Sequence, residues 1–276
     1  MPEGPEIRRL RDQLAEALLG RVARRIRFHL PDLQRWNGPL DGLRVVCIES
    51  HGKALLTHLE NDHTIFSHNQ LYGRWRVAAP GKMPATRRRL RLAIHTEEAW
   101  AHLYSASRIE VWPSATLRDH PFLSRLGPDV LDASTTLETV LERLVSAPFR
   151  NRRLGNLLVD QSFLAGLGNY LRCEILHCCG LHPAVRPRDL GIGALMGLAG
   201  RILQLARQSY HSGGITNDLQ RAARLEAEGA PFEGYRFHVY RRDGEPCYRC
   251  GTRIVKRREG GQSCYLCPRC QGRANP

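Results

Sequence analysis

The sequence predicts an α+β protein: a β-sandwich led by one amphipathic helix, then a helical second half, then a C-terminal β-hairpin pinned by cysteines. Three observations carry the prediction. Ile7, Leu10, Leu14 and Leu18 recur at helical spacing near the start. A series of short β-like runs follows, separated by turn signals. Finally, Cys247-x2-Cys250 and Cys267-x2-Cys270 stand sixteen residues apart.

The leading helix opens on Met1-Pro2-Glu3-Gly4-Pro5-Glu6. Pro5 suits a first helical turn, where its missing N–H costs nothing. Pro2 and Glu3 then sit at the positive end of the helix dipole, which favours an ionised carboxylate and lowers the pKa of an amine. If Met1 is removed, Pro2 presents a secondary amine free of amide resonance, and an α-amino group titrates near ~7.7 to 8.0. Amine, acid and dipole are the parts of an imine-forming site. On these residues alone, an acidic first turn that merely complements the dipole is the plainer explanation of the stretch.

The β-like runs cover 22–28, 43–49, 53–59, 64–67, 74–78, 89–95 and 101–104, punctuated by Asn37-Gly38-Pro39, His51-Gly52 and Pro80-Gly81. Lys53 follows Gly52 in a tight turn, where it is either solvated or placed to hold a phosphate and move a proton. In Ser67-His68-Asn69-Gln70-Leu71-Tyr72-Gly73 an apolar and an aromatic residue follow a Gln. Leu71 and Tyr72 are either core or the wedge needed by a protein that extrudes a base from duplex DNA.

The pattern turns helical after 128–134, with Leu137, Val140, Leu141 and Leu144 on one side, and stays so to about Tyr210. Within it, Leu164 to Gly168 is a glycine-punctuated turn and Asn169 is suited to N-cap the helix running to Cys179. Amides at such a turn can also cradle a phosphate. Ser209 to Asn217 reads as a loop, and 218–233 is charged with little pattern. The segments are 1–127 for the β-rich domain, 135–232 for the helical domain and 237–276 for the hairpin.

Cys247, Cys250, Cys267 and Cys270 have the spacing of two zinc knuckles, and four thiolates leave no open position, so the expected ion is one structural Zn2+. Gly260-Gly261 supplies the hairpin turn, flanked by Arg253, Lys256, Arg257 and Arg258. Cys264 and the four upstream cysteines read as ordinary thiols. Lys plus Arg number 41 against 27 Asp plus Glu, a formal charge of +14, which points to a polyanionic partner. No stretch approaches ~18 apolar residues, and the start carries no apolar signal core. The expectation is a soluble intracellular protein without a disulfide framework.

Pro-Glu-Gly-Pro-Glu at the start, Gly-Leu-Gly-Asn in the middle and the four-cysteine finger at the end together resemble the bacterial DNA glycosylase/AP lyases, the family of formamidopyrimidine-DNA glycosylase and endonuclease VIII. The resemblance spans essentially the whole chain. Ser67 to Gly73, Tyr104 to Ser107 and Asp160 to Leu171 look more like the endonuclease VIII branch, which implies oxidised pyrimidines as substrates. It further implies a helix-two-turn-helix domain in the second half, damaged double-stranded DNA as partner, a monomer, and a bacterial cytoplasmic, nucleoid-associated location.

Carried over by matching position, Pro2 is the nucleophile at the deoxyribose C1′, Glu3 the proton donor that opens the sugar, and Lys53 a phosphate contact and proton donor in β-elimination. Glu6 lies near the same pocket; Gln70, Leu71 and Tyr72 fill the void; Arg125 and Asn169 contact the DNA backbone. One departure stands out. Where the family finger places an arginine five residues before the third zinc cysteine, this chain has Gln262, which makes no bidentate ionic clamp. Either Arg257 or Arg258 substitutes, or strand cutting stalls after β-elimination; we expect the stall. A non-catalytic zinc-finger damage binder and a glycosylase for oxidised purines are the competing readings.

Overall fold

Amphipathic spacing and alternating strands resolve into two compact units, Met1–Arg125 and Leu126–Pro276, in a computed structural model that describes residues 2–272. Met1, whose removal would free the Pro2 amine, lies outside the described residues.

In the first unit, α1 (Gly4–Leu18) buries Ile7, Leu14, Ala17 and Leu18. Full burial of a Leu or Ile contributes roughly 1.5–3 kcal/mol, so this one face supplies much of the helix's hold. The strands are β1 (Val22–Ala23), β2 (Arg25–Phe28), β3 (Leu43–His51), β4 (Ala54–Leu59), β5 (His63–His68), β6 (Arg74–Ala78), β7 (Leu90–His95), β8 (Trp100–Tyr104) and β9 (Arg108–Pro113). They form two antiparallel sheets, ordered β1-β3-β4-β5-β9 and β2-β7-β8-β6. Leu14 and Leu18 share a core with Ile26, Phe28, Ile48, Leu55, Ile65, Leu92, Ile94 and Leu103, drawn from both sheets.

Two expectations need correction here. The run 22–28 is not one strand: it breaks at the exposed Arg24, so that β1 pairs with β3 and β2 with β7 in the other sheet. The last strand of this unit, β9, went unread although Ile109 and Val111 alternate with Arg108, Glu110 and Trp112 as a half-buried edge strand does; the run holds only two aliphatic residues among charged ones.

The second unit contains α2 (Leu137–Val145), α3 (Leu154–Leu157), α4 (Asn169–Cys179), α5 (Ile192–His211), α6 (Leu219–Ala227) and α7 (Phe232–Tyr235), then the hairpin β10 (Val255–Glu259) and β11 (Gln262–Leu266). Segments 135–232 and 237–276 both lie within it. Helix α4 is buried almost all round, polar residues included, and packs beside α5. The unpatterned stretch after Asn217 is helical too. Asp218 caps α6 by accepting the Arg221 N–H (2.9 Å), but Ala222 is the one α6 residue buried, so no apolar stripe announced the helix. Gly260 and Gly261, with φ of +56 and +79, make the expected hairpin turn.

Candidate active site and metal centre

In the first unit the site is built on the N-terminal end of α1. Glu3 is 3 % exposed and occupies the N-cap, in a reciprocal capping box with Glu6, whose carboxylate accepts the Glu3 N–H at 2.9 Å. The other Glu6 oxygen accepts from Arg9 (3.1 Å). Glu6 therefore orients the start of the helix, while Pro2 precedes the cap half-buried.

Lys53 belongs to a two-residue hairpin loop: His51 pairs with Ala54, and Gly52 takes φ +59 at the first loop position, as a type II′ turn requires. Lys53 is half-buried, not a freely solvated turn lysine. Burial lowers its pKa, and the carboxylates of Glu3 and then Glu6 partly oppose that shift. A lysine so placed gives up its proton more readily than one in water.

The turn from Asn69 to Gly73 leads from β5 in one sheet to β6 in the other. Leu71 and Tyr72 are 53 % and 66 % exposed, which removes the core reading for both. Gln70 is also exposed, with φ 49, and the Ser107 hydroxyl donates to its side-chain oxygen. Gly73 is required: a Cβ there would stand 2.5 Å from the Asn69 carbonyl oxygen. Arg125 is exposed at the end of a 3-10 turn, Leu123–Arg125.

In the second unit Asn169 is not the N-cap of α4. Gly168 holds that position without a side-chain bond, and Asn169 begins the helix proper. Its amide instead donates to the Ser263 carbonyl of β11 (2.9 Å) while its oxygen accepts from Arg172. Arg172 is fully buried and also donates to the carbonyls of Gly155 (3.0 Å) and, at 3.3 Å, Ser263. Helix and hairpin are thus stitched backbone to side chain, a role that depends on a partner 94 residues away.

Gln262 is exposed at the start of β11, paired with Glu259. Arg257 pairs with Cys264 and Arg258 with Ser263. By strand alternation Arg257 shares the Gln262 face and Arg258 lies on the other.

The sulfurs of Cys247, Cys250, Cys267 and Cys270 lie within 4.8 Å of one another, with Cys247 to Cys270 at 3.9 Å and Cys250 to Cys267 at 3.4 Å. Four thiolates about 2.3 Å from one tetrahedral ion would be spaced about 3.8 Å apart, so the residues present fit zinc. Hydrogen bonds from Thr252 hold the Cys250 thiol down to about 6, toward the thiolate a metal binds.

Sequence reasoning overlooked three side chains. Arg172 and Glu174 carry charge in a helix buried on almost every side, among Leu171, Cys173, Ile175 and Leu176, and that anomaly was the available signal. His68 was passed over inside its own motif.

The first 108 residues match the formamidopyrimidine-DNA glycosylase N-terminal domain, and residues 244–272 match the zinc finger found in formamidopyrimidine-DNA glycosylase and isoleucyl-tRNA synthetase. Across 271 residues, 98 % of this chain and all of the relative, the sequence is 46 % identical to endonuclease 8 of Shigella sonnei. The chain belongs to the endonuclease 8 and formamidopyrimidine-DNA glycosylase family of DNA glycosylase/AP lyases. Endonuclease 8 of Escherichia coli O6:K15:H31 is 47 % identical over the same span. The fold of this family is seen in Lactococcus lactis formamidopyrimidine-DNA glycosylase bound to DNA containing an oxidized pyrimidine (TM-score 0.81, 22 % identity, covering 99 % of this chain and 100 % of that one). It recurs in the same enzyme non-covalently bound to DNA containing an AP site (TM-score 0.80, 21 % identity, 98 % and 100 % coverage). Membership in a family of glycosylase/lyases displaces the reading of the chain as a non-catalytic binder.

Proposed function

We propose that the protein excises oxidised pyrimidines from double-stranded DNA through a Schiff base on Pro2 and nicks the strand by elimination. The observation that carries this reading is the pairing of Pro2-Glu3, at the head of a helix with one buried face, with Lys53 in electrostatic reach of Glu3. The Pro2 nitrogen attacks C1′, the glycosidic bond breaks and the base departs with its electron pair and a proton. Glu3 protonates the sugar ring oxygen as the ring opens to an iminium. The iminium acidifies the C2′ hydrogen; the carboxylate left on Glu3 takes that proton as the C3′–O bond breaks, and Lys53, holding a phosphate, gives its proton to the departing 3′ phosphate oxygen. For this role Glu3, 3 % exposed, must carry a proton when the ring opens.

Gln70, Leu71 and Tyr72 occupy the space left by the extruded nucleotide, and Glu6, Arg125 and Asn169 serve DNA binding in this reading. The exposure of Leu71 and Tyr72 supports the wedge. One zinc ion, held by the four cysteines, has a structural role in pinning the hairpin. With Gln262 at the clamp position, δ-elimination lags behind β-elimination; Arg257, on the same face, is the residue able to compensate. The protein acts as a monomer in the bacterial cytoplasm on nucleoid DNA; among the described residues no helix is long and apolar enough to cross a membrane.

The test is borohydride trapping on an abasic duplex, paired with mass spectrometry of the mature N-terminus. A covalent protein–DNA species from material beginning at Pro2 is expected, and its absence overturns the mechanism. Thymine glycol should be released faster than 8-oxoguanine; the reverse preference would assign the protein to oxidised purines. Gel analysis of the ends should show β-eliminated product accumulating.

A further inference from the structure

The side chains that enter the duplex stand on a turn whose shape depends on one backbone amide. Gln70 sits in the left-handed region, φ 49, where a residue with a Cβ gives up roughly 1–2 kcal/mol. Its N–H donates to Nδ1 of His68 at 2.9 Å. The turn is closed behind by the Gly73 N–H on the Asn69 carbonyl (2.7 Å) and braced by Arg88, which donates to the Tyr72 carbonyl (2.7 Å). Ser107 holds the Gln70 side chain, but among the described residues the bond to His68 is the one made by the strained residue's backbone N–H.

The imidazole is itself held in place. His68 ends β5, opposite Ala54 on one side and Arg108 on the other, so its backbone neighbours the residue after Lys53. Its ring meets the Phe122 ring edge-on, centroids 5.2 Å apart. Burial, reinforced by the charges of Lys53 and Arg108, pushes its pKa down to about 4. The ring is therefore neutral at physiological pH, and the bond from Gln70 assigns the proton to Nε2, leaving Nδ1 as acceptor.

We propose that His68 is a positioning residue for base extrusion: its Nδ1 holds the Gln70 N–H and so fixes the pose in which Leu71 and Tyr72 are presented to the duplex. This rests on the glycosylase reading above and adds to it a side chain that touches neither sugar nor base. The same histidine joins the strand beside the catalytic lysine to the wedge, so both are set from one strand end.

The experiment compares His68→Leu with His68→Asn, because an asparagine amide oxygen falls close to the position of Nδ1 and restores the acceptor. A duplex carrying an abasic analogue opposite 2-aminopurine reports wedge entry by fluorescence, and borohydride trapping on a lesion duplex reports chemistry. H68L should lose most of the 2-aminopurine response and be trapped about tenfold more slowly, the size expected for one net hydrogen bond. H68N should stay within about threefold of the parent, well under the effect of a lost bond. Trapping of H68L at the parental rate with a full fluorescence response overturns the proposal, as does H68N behaving like H68L. Should H68L fail to fold, H68Q replaces it, since its oxygen lies one bond too far out to meet the same amide. If the parent protein is not trapped at all, the Schiff-base reading fails, whereas the fluorescence comparison still decides the role of His68.

Discussion

Glu174 in the middle of α4 offers the sharpest test of how the second unit is held together. Its fully buried carboxylate accepts four hydrogen bonds. One oxygen takes the N–H groups of Val239 (2.8 Å) and Tyr240 (3.0 Å); the other takes the His238 N–H (2.7 Å) and the Thr216 hydroxyl (2.8 Å). Substituting Glu174→Gln keeps the shape and one acceptor. The new amide NH2 then faces the His238 N–H, donor against donor. The Thr216 hydroxyl can turn to the Arg236 carbonyl, 3.3 Å away, but the backbone amide has no such escape. One orphaned buried N–H costs about 1–3 kcal/mol, and the remaining bonds lose their charge assistance, so the total is about 2–4 kcal/mol. All four tryptophans, Trp36, Trp75, Trp100 and Trp112, belong to the first unit, so their fluorescence is blind to this loss. Urea unfolding of E174Q followed by circular dichroism should reveal an early transition, accompanied by zinc release to a chromogenic chelator, while the tryptophan transition stays in place. Coincident, unshifted transitions by all three probes would refute the claim that Glu174 anchors residues 238–240.

Gly73→Ala should force the turn away from Asn69, whose carbonyl oxygen would otherwise lie 2.5 Å from the new Cβ, at a cost of roughly 1–3 kcal/mol. Duplex cleavage should fall at least tenfold while thermal unfolding shifts only modestly; cleavage at the parental rate would contradict the steric argument. Acid should weaken the first unit in a defined window. Burial, together with neighbouring cations, holds His68 and His95 at about 4 in the folded chain against 6.5 as the ordinary value. The unfolded chain therefore binds protons that the folded one refuses, so stability is full above about pH 6.5, declines toward pH 4 and then levels. The loss is at most about 3–4 kcal/mol per histidine, trimmed by solvent at the partly exposed His95. Because His95 stacks on Trp100 at 3.9 Å, tryptophan fluorescence in urea at a series of pH values reads it, and a flat profile between those limits would refute the assignment.

Features set by short-range chemistry were legible in the chain itself. The helix beginning near Pro5, the Gly52-Lys53 turn, the Gly260-Gly261 hairpin and the cysteine quartet each depend on neighbours within a few residues, or on a spacing with few alternatives. What escaped were roles settled by distant partners. Asn169 has the side chain of a cap, yet the Ser263 carbonyl claims its amide, and nothing near position 169 announces that. The break at Arg24 depends on which sheet each half can pair with. Leu71 and Tyr72 have the composition of either a core or a wedge, and only their exposure separates the two. His68 escaped because its contribution is one lone pair directed at a main-chain amide two residues on, which no residue type advertises.

The Gly52-Lys53 loop has a consequence for how this enzyme can vary. With two residues joining β3 to β4, the lysine has no slack: its height above the sheet follows from the same pairing that aligns His51 with Ala54. Lengthening the connection by even one residue would swing the ammonium group off its line toward Glu3 without unfolding anything. Tolerance to insertion should therefore be lost at this corner long before it is lost in the polar stretch after Pro80, and the position of the lysine is as stiff as the ladder beneath it.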